Sequence, residues 1–149
     1  MILNTRHIGI VVSDLNNSLD FYSSLGFSIN SRQIENGPVI SQIVGIERVE
    51  VETVKLKTDT GVSIELLKYH SHPKEGPVKQ NSNDLGCSHI ALTVSDIDKF
   101  LECVVQKGGS IVNEPALTEN KEYRVAYCHD PEGVLLEVVE HNKKKVKND

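Results

Sequence analysis

The sequence predicts an α+β fold made of two paired β-α-β-β-β modules, forming a curved, cleft-bearing mixed sheet with helices packed outside. Three observations lead there: an internal repeat, period-two alternation in the segments that open and close each copy, and one capped amphipathic helix per copy. The repeat is the strongest. His7 opens H-I-G-I-V-V-S-D-L and His89, 82 residues later, opens H-I-A-L-T-V-S-D-I. Leu19, Gly26, Ser28 and Ile29 match Leu101, Gly108, Ser110 and Ile111 at the same offset. The offset then falls to 72, where Glu65 matches Glu137, so the first copy carries about ten extra residues in or near 36–52.

Each element has a local reason. Residues 6–13 alternate, with Ile8, Ile10 and Val12 on one face and His7, Gly9 and Val11 on the other, as a strand covering an aliphatic core does. Asp14 then supplies an N-cap, Leu15, Leu19, Tyr22 and Leu25 recur at helical spacing, and Gly26 suits the left-handed turn that ends a helix. Asp96, Ile97, Phe100, Leu101, Val104, Val105 and Gly108-Gly109 repeat that signal. Strands are expected at 27–34, 49–57 and 62–69 in the first copy, and at 110–113, 122–129 and 134–140 in the second. The turns Thr58-Asp59-Thr60-Gly61 and Asp130-Pro131-Glu132-Gly133 join the last two strands of each copy. The organisation is one domain over 1–149: modules at 6–70 and 87–141, a polar linker at 71–86 and a basic tail at 142–149. The segment from Asn36 to Ile46, with Pro38 suited to a helix's first turn and Val39, Ile40, Ile43 and Val44 apolar, reads either as a lid or as packing against a sheet edge.

Composition narrows the function. In 149 residues, 16 Lys+Arg against 21 Asp+Glu give a net charge of −5, which argues against nucleic acid as the main partner. Lys143, Lys144, Lys145 and Lys147 form a short basic tail that reads as a solvated terminus. Cys87, Cys103 and Cys128 lack C-x-x-C spacing and suit free thiols in a reducing compartment, with the cytoplasm as the expected location. No apolar run approaches the roughly 20 residues of a membrane span, and no partner membrane is expected.

His7, Glu65, His89 and Glu137 hold equivalent places on the first and last strand of each copy. Their strand neighbours, Ile8/Ile10/Val12, Val62/Ile64/Leu66, Ile90/Leu92/Val94 and Val134/Leu136/Val138, are all aliphatic. The four polar side chains therefore point away from the core. Any one alone reads as a partly exposed residue; four at duplicated positions with matched parity read as a ligand set. Two imidazoles and two carboxylates suit a divalent ion such as Zn, Ni, Co, Mn or Fe, and the carboxylates balance its charge. His70 and His72 form an unduplicated H-x-H pair with exposed side chains expected; Cys87 reads as a small buried residue or a pocket-lining thiol.

These residues, with H-I-G-I-V-V-S-D-L-N-N-S-L-D-F-Y-S-S-L-G-F, V-S-I-E-L-L, S-H-I-A-L-T-V-S-D-I and D-P-E-G-V-L-L-E-V-V-E, resemble the vicinal oxygen chelate superfamily, the glyoxalase/bleomycin-resistance/dioxygenase fold. The resemblance runs from about Arg6 to His141. It implies metal ligation by His7, Glu65, His89 and Glu137. Two His with two acidic residues resemble the isomerase and lyase branches, lactoylglutathione lyase and methylmalonyl-CoA epimerase. There a base moves a proton at the carbon next to a carbonyl through a metal-stabilised enediolate. The resemblance implies Glu137 as that base and a second base among Glu47, Glu50 and Glu52, for which Glu50 is taken. The implied substrate is a small carbonyl compound, such as a CoA or glutathione thioester or hemithioacetal, and the implied assembly a homodimer. An epimerase-like isomerase or lyase is the leading expectation. Lactoylglutathione lyase proper is weakened by Leu66-Leu67-Lys68-Tyr69 after Glu65, where that branch carries an aromatic-rich stretch. A non-catalytic small-molecule or antibiotic-binding protein is disfavoured by the intact four-residue set, and an iron dioxygenase by the second carboxylate.

Overall fold

A computed structural model describes residues 1–74, 76 and 79–142; the lysines of the basic tail lie outside the described residues. The chain divides into two compact units, 1–76 and 77–149, the division falling inside the polar linker. Three helices and two mixed sheets, of four and five strands, make up the described residues, and neither sheet closes into a barrel.

The first unit runs β1 (Ile8–Val11), α1 (Leu15–Ser24), β2 (Ser28–Asn36), α2 (Pro38–Val44), β3 (Glu50–Lys57) and β4 (Ser63–Tyr69). Its sheet order is β1-β4-β3-β2, with β1 parallel to β4 and the other pairs antiparallel. The Asp14 side chain caps α1, accepting from the Asn17 N–H at 3.0 Å. Gly26, at φ 98°, turns the chain into β2 in the left-handed region that glycine enters without strain. α1 packs on β4. Ile10, Val12, Val54, Leu56, Ile64 and Leu66 are buried on one parity of the strands, together with Leu15, Leu19 and Tyr22 of α1. The Tyr22 ring meets Phe21 and Phe27 edge-on at 5.1 and 5.7 Å. Burying a leucine as completely as Leu66 stabilises the fold by about 1.5–3 kcal/mol relative to exposure.

The second unit runs β5 (His89–Val94), α3 (Ile97–Gln106), β6 (Ser110–Ile111), β7 (Ala116–Leu117), β8 (Tyr123–His129) and β9 (Leu135–His141). Its order is β5-β9-β8-β6, with β7 also on β8, and again the first and last strands are parallel. Asp96 caps α3 through the Lys99 N–H at 3.1 Å. Gly109 is required by close approach: a Cβ there would stand 2.5 Å from the His129 carbonyl oxygen and 2.6 Å from Val104. Leu136, Val138, Ala126, Cys128, Ile97, Leu101 and Val104 are buried.

One element differs from the sequence reading. The strand expected at 110–113 is only two residues long, and a second short strand pairs with β8 at 116–117. The break falls at Asn113-Glu114-Pro115, where the Asn113 side-chain oxygen takes the Tyr127 N–H at 2.9 Å and Pro115 brings no donor. The 36–46 segment does form a helix, α2, with Pro38 in its first turn, but none of its residues is buried; Val39 and Ile43 are 70% and 73% exposed.

Candidate functional site

β4 buries Ile64 and Leu66 beneath α1, so Glu65 between them faces the other side of the sheet. β1 lies parallel to β4 with Gly9 opposite Glu65. His7, two residues earlier and just ahead of the strand, shares the parity of Gly9. Its Nε2 lies 3.1 Å from Glu65 Oε2. The second unit repeats this arrangement. Ala91 stands opposite Glu137 on the parallel β5–β9 pair, and His89 Nε2 lies 3.1 Å from Glu137 Oε2. The small residue in H-I-G and H-I-A has a physical consequence: without side-chain bulk opposite, each carboxylate can lean along the strand towards its imidazole.

The third neighbour breaks the symmetry. Lys55 of β3 stands opposite Glu65 and brings its Nζ to 3.6 Å from Oε1. The residue 72 positions later, Tyr127 of β8, stands opposite Glu137, and its ring meets the His89 ring edge-on at 5.5 Å. Burial first, and then the Glu137 charge, raise the Tyr127 hydroxyl above the usual tyrosine range. The two carboxylates also differ in exposure, 13% for Glu65 against 25% for Glu137. Lys55 and Tyr127 were not singled out from the sequence. The signal that finds them is the cross-strand register opposite the two glutamates, available only once the strands are paired.

Two donors bonded to one ion at the usual 2.0–2.2 Å lie about 2.8–3.1 Å apart at right-angle and about 3.3–3.6 Å apart at tetrahedral coordination. The 3.1 Å separation within each pair therefore fits both members bonding a single ion. Each pair supplies two donors; among the described residues no three His, Cys, Asp or Glu side chains gather in one place.

The structure does not bring Glu50 to the His7–Glu65 pair. Position 50 shares the parity of Val54 and Leu56, on the helix-bearing face, and its side chain is exposed. Glu47 is exposed as well. Glu52, on the same parity, is buried and bonded by Arg32 Nε at 2.6 Å and His70 Nε2 at 3.0 Å. Those two groups, Arg32 first, hold its carboxyl below the usual glutamate range. His70, read from the sequence as simply exposed, is thus paired, while His72 bonds its neighbour Ser71. All three cysteines are free; Cys128 is buried and its thiol is pushed up to about 12, by burial first and then by Asp130.

Comparison with known proteins bears on this arrangement. The family model of the Glyoxalase/Bleomycin resistance protein/Dioxygenase superfamily matches residues 5–138. A protein of Synechocystis sp. named "Probable lactoylglutathione lyase" is 29% identical over 93% of this chain and 96% of its own length. A glyoxalase family protein of Bacillus cereus superposes with a TM-score of 0.87 at 27% identity, covering 95% of each chain. The fold alone is shared with a fosfomycin resistance protein, FosX, of Listeria monocytogenes, solved as a variant with Mn(II) and a dihydroxypropylphosphonic acid. Its TM-score is 0.63 at 17% identity, over 95% of this chain and 91% of that one. Among the described residues no helix is long and apolar enough to cross a membrane.

Proposed function

Since this chain belongs to the Glyoxalase/Bleomycin resistance protein/Dioxygenase superfamily, we propose that it is a divalent-metal-dependent isomerase or lyase moving a proton at the carbon next to a carbonyl. The observation that carries the reading is the duplicated His–Glu pair, His7–Glu65 and His89–Glu137, each at 3.1 Å on the same parallel register. His7, Glu65, His89 and Glu137 would hold the ion. The reading asks for both pairs on one ion. Bound there, a divalent ion such as Zn, Ni, Co, Mn or Fe would polarise the substrate's carbonyl oxygen and make the adjacent C–H more acidic.

The residues divide the remaining work. Glu65 is the more enclosed carboxylate and is gripped from both sides by His7 and Lys55, which suits a fixed ligand. Glu137 is more open and, among the described residues, has no lysine beside it, so we assign it the base that takes the proton and returns it. Tyr127 packs against His89 and fixes the plane of that imidazole. Glu50, on the other face of its sheet, has no part in this reading.

For the substrate, the name carried by the Synechocystis relative favours a second, narrower reading, a glutathione hemithioacetal. An acyl-CoA epimerisation would use the same proton transfer. The test is solvent exchange: in D2O, the metal-supplemented protein should introduce deuterium at the α-carbon of either methylglyoxal–glutathione hemithioacetal or methylmalonyl-CoA. Glu137→Gln should abolish it, and exchange at the wild-type rate in that variant would remove Glu137 as the base.

A further inference from the structure

The helix-bearing face of the first sheet carries a second cluster, on the opposite side from the His7–Glu65 pair. A cleft of about 290 Å³ opens there, lined by Ser13, Asn16, Arg32, Lys68 and His70 and by two carboxylates, Glu52 and Asp14, the latter engaged as the cap of α1. At its base the buried Glu52 carboxylate fixes Arg32 through Nε alone, at 2.6 Å, and His70 at 3.0 Å. Among the described residues, neither terminal nitrogen of the Arg32 guanidinium has a partner. Lys68 donates to the Ser13 carbonyl, and its ammonium has no second protein partner among the described residues.

The second unit shows what fills such a fork. At repeat-equivalent positions the charges are exchanged: Arg124 stands where Glu52 does, Glu140 where Lys68 does, and Asp98 where Asn16 does. The two terminal nitrogens of Arg124 bind both oxygens of Asp98, at 2.8 and 2.7 Å, and one of them also reaches Glu140 at 3.1 Å. A guanidinium held by two parallel bonds to one carboxylate is a strong and directional arrangement. The first unit holds its guanidinium by one bond, from Nε to a buried carboxylate, and offers the neutral Asn16 where the second unit supplies Asp98.

We propose that this cleft binds a small oxyanion, a carboxylate or phosphate group, held by the terminal nitrogens of Arg32 and the ammonium of Lys68. Glu52 and His70 position Arg32, and the buried carboxylate keeps the guanidinium from turning away. The site is independent of the metal reading, since it shares no residue and no sheet face with His7 and Glu65.

The test follows the Arg32 Nε–Hε resonance by NMR while inorganic phosphate or succinate is added, with sodium chloride at matched ionic strength as control. A saturable shift with either anion, absent with chloride, supports the site, and the tighter of the two identifies the ligand class. Binding, followed by calorimetry, should weaken at least about tenfold in Arg32→Gln, a loss of one strong charged contact, and should be unchanged in His7→Ala. Asn16→Asp, which adds the carboxylate the second unit has, should compete with the anion and weaken it as well while keeping the fold. A shift no larger than that of chloride, or undiminished binding in Asn16→Asp and Arg32→Gln, overturns the proposal.

Discussion

Replacing Glu52 by glutamine keeps the shape of a buried side chain and removes its charge. Two charge-assisted bonds change, to Arg32 at 2.6 Å and to His70 at 3.0 Å. A hydrogen bond to a charged group contributes about 1.5–3 kcal/mol. Here the partner side chains are 47% and 38% exposed and regain water when released, which lowers the loss. Glutamine also retains one acceptor oxygen, so the net expected destabilisation at pH 7 is about 2 kcal/mol. The pH dependence gives the sharper signature. The folded state holds the Glu52 carboxyl below its ordinary range, so its contribution is complete above the unfolded value near 4.3 and is lost as pH falls through the lower folded value. Urea melts of wild type and Glu52→Gln at a series of pH values should show the gap in midpoint at pH 7 and its closure below about pH 4. A gap under about 0.5 kcal/mol at pH 7, or one that widens towards acid, would show that the Glu52 charge does not stabilise the fold.

Two further outcomes are expected. Cys128, buried with its thiol pushed up to about 12, should resist iodoacetamide at pH 8 in the folded protein, whereas the half-buried Cys87 and Cys103 should alkylate; mass mapping of labelled peptides reads this, and equal labelling of all three would contradict the burial. Ala91→Leu should place bulk opposite Glu137 on the face the carboxylate crosses to reach His89, and so weaken divalent-ion affinity by about 10–100-fold. Ala91 is exposed, so the same variant should melt within about 0.5 kcal/mol of wild type.

Much of this architecture is legible in the sequence, because its determinants are local. The alternation around His7, Glu65, His89 and Glu137 assigns them a face before any strand is paired, and Asp14 and Asp96 mark the helix starts they do cap. What was not legible depends on register. Glu52 meets Arg32 and His70 only when β3 is laid between β2 and β4, and from the sequence it was one of three glutamates offered as a second base. The same holds for Glu50, whose face follows from its parity against Val54 and Leu56, and for Lys55 and Tyr127, which sit opposite the two glutamates. The split of the second strand in the second unit turns on one side-chain bond, from the Tyr127 N–H to Asn113, that no periodicity reports.

We propose that His7–Glu65 and His89–Glu137 are metal-ligand pairs serving one ion. Calorimetric titration of the chelator-treated protein with Zn, Ni, Co, Mn and Fe(II), repeated on His7→Ala and His89→Ala, tests it most directly. Wild type should bind one divalent ion tightly per His7–Glu65 and His89–Glu137 set, and both variants should lose that ion, because either substitution strips a donor from the same site. Absence of binding in wild type, or wild-type affinity in either alanine variant, would contradict it.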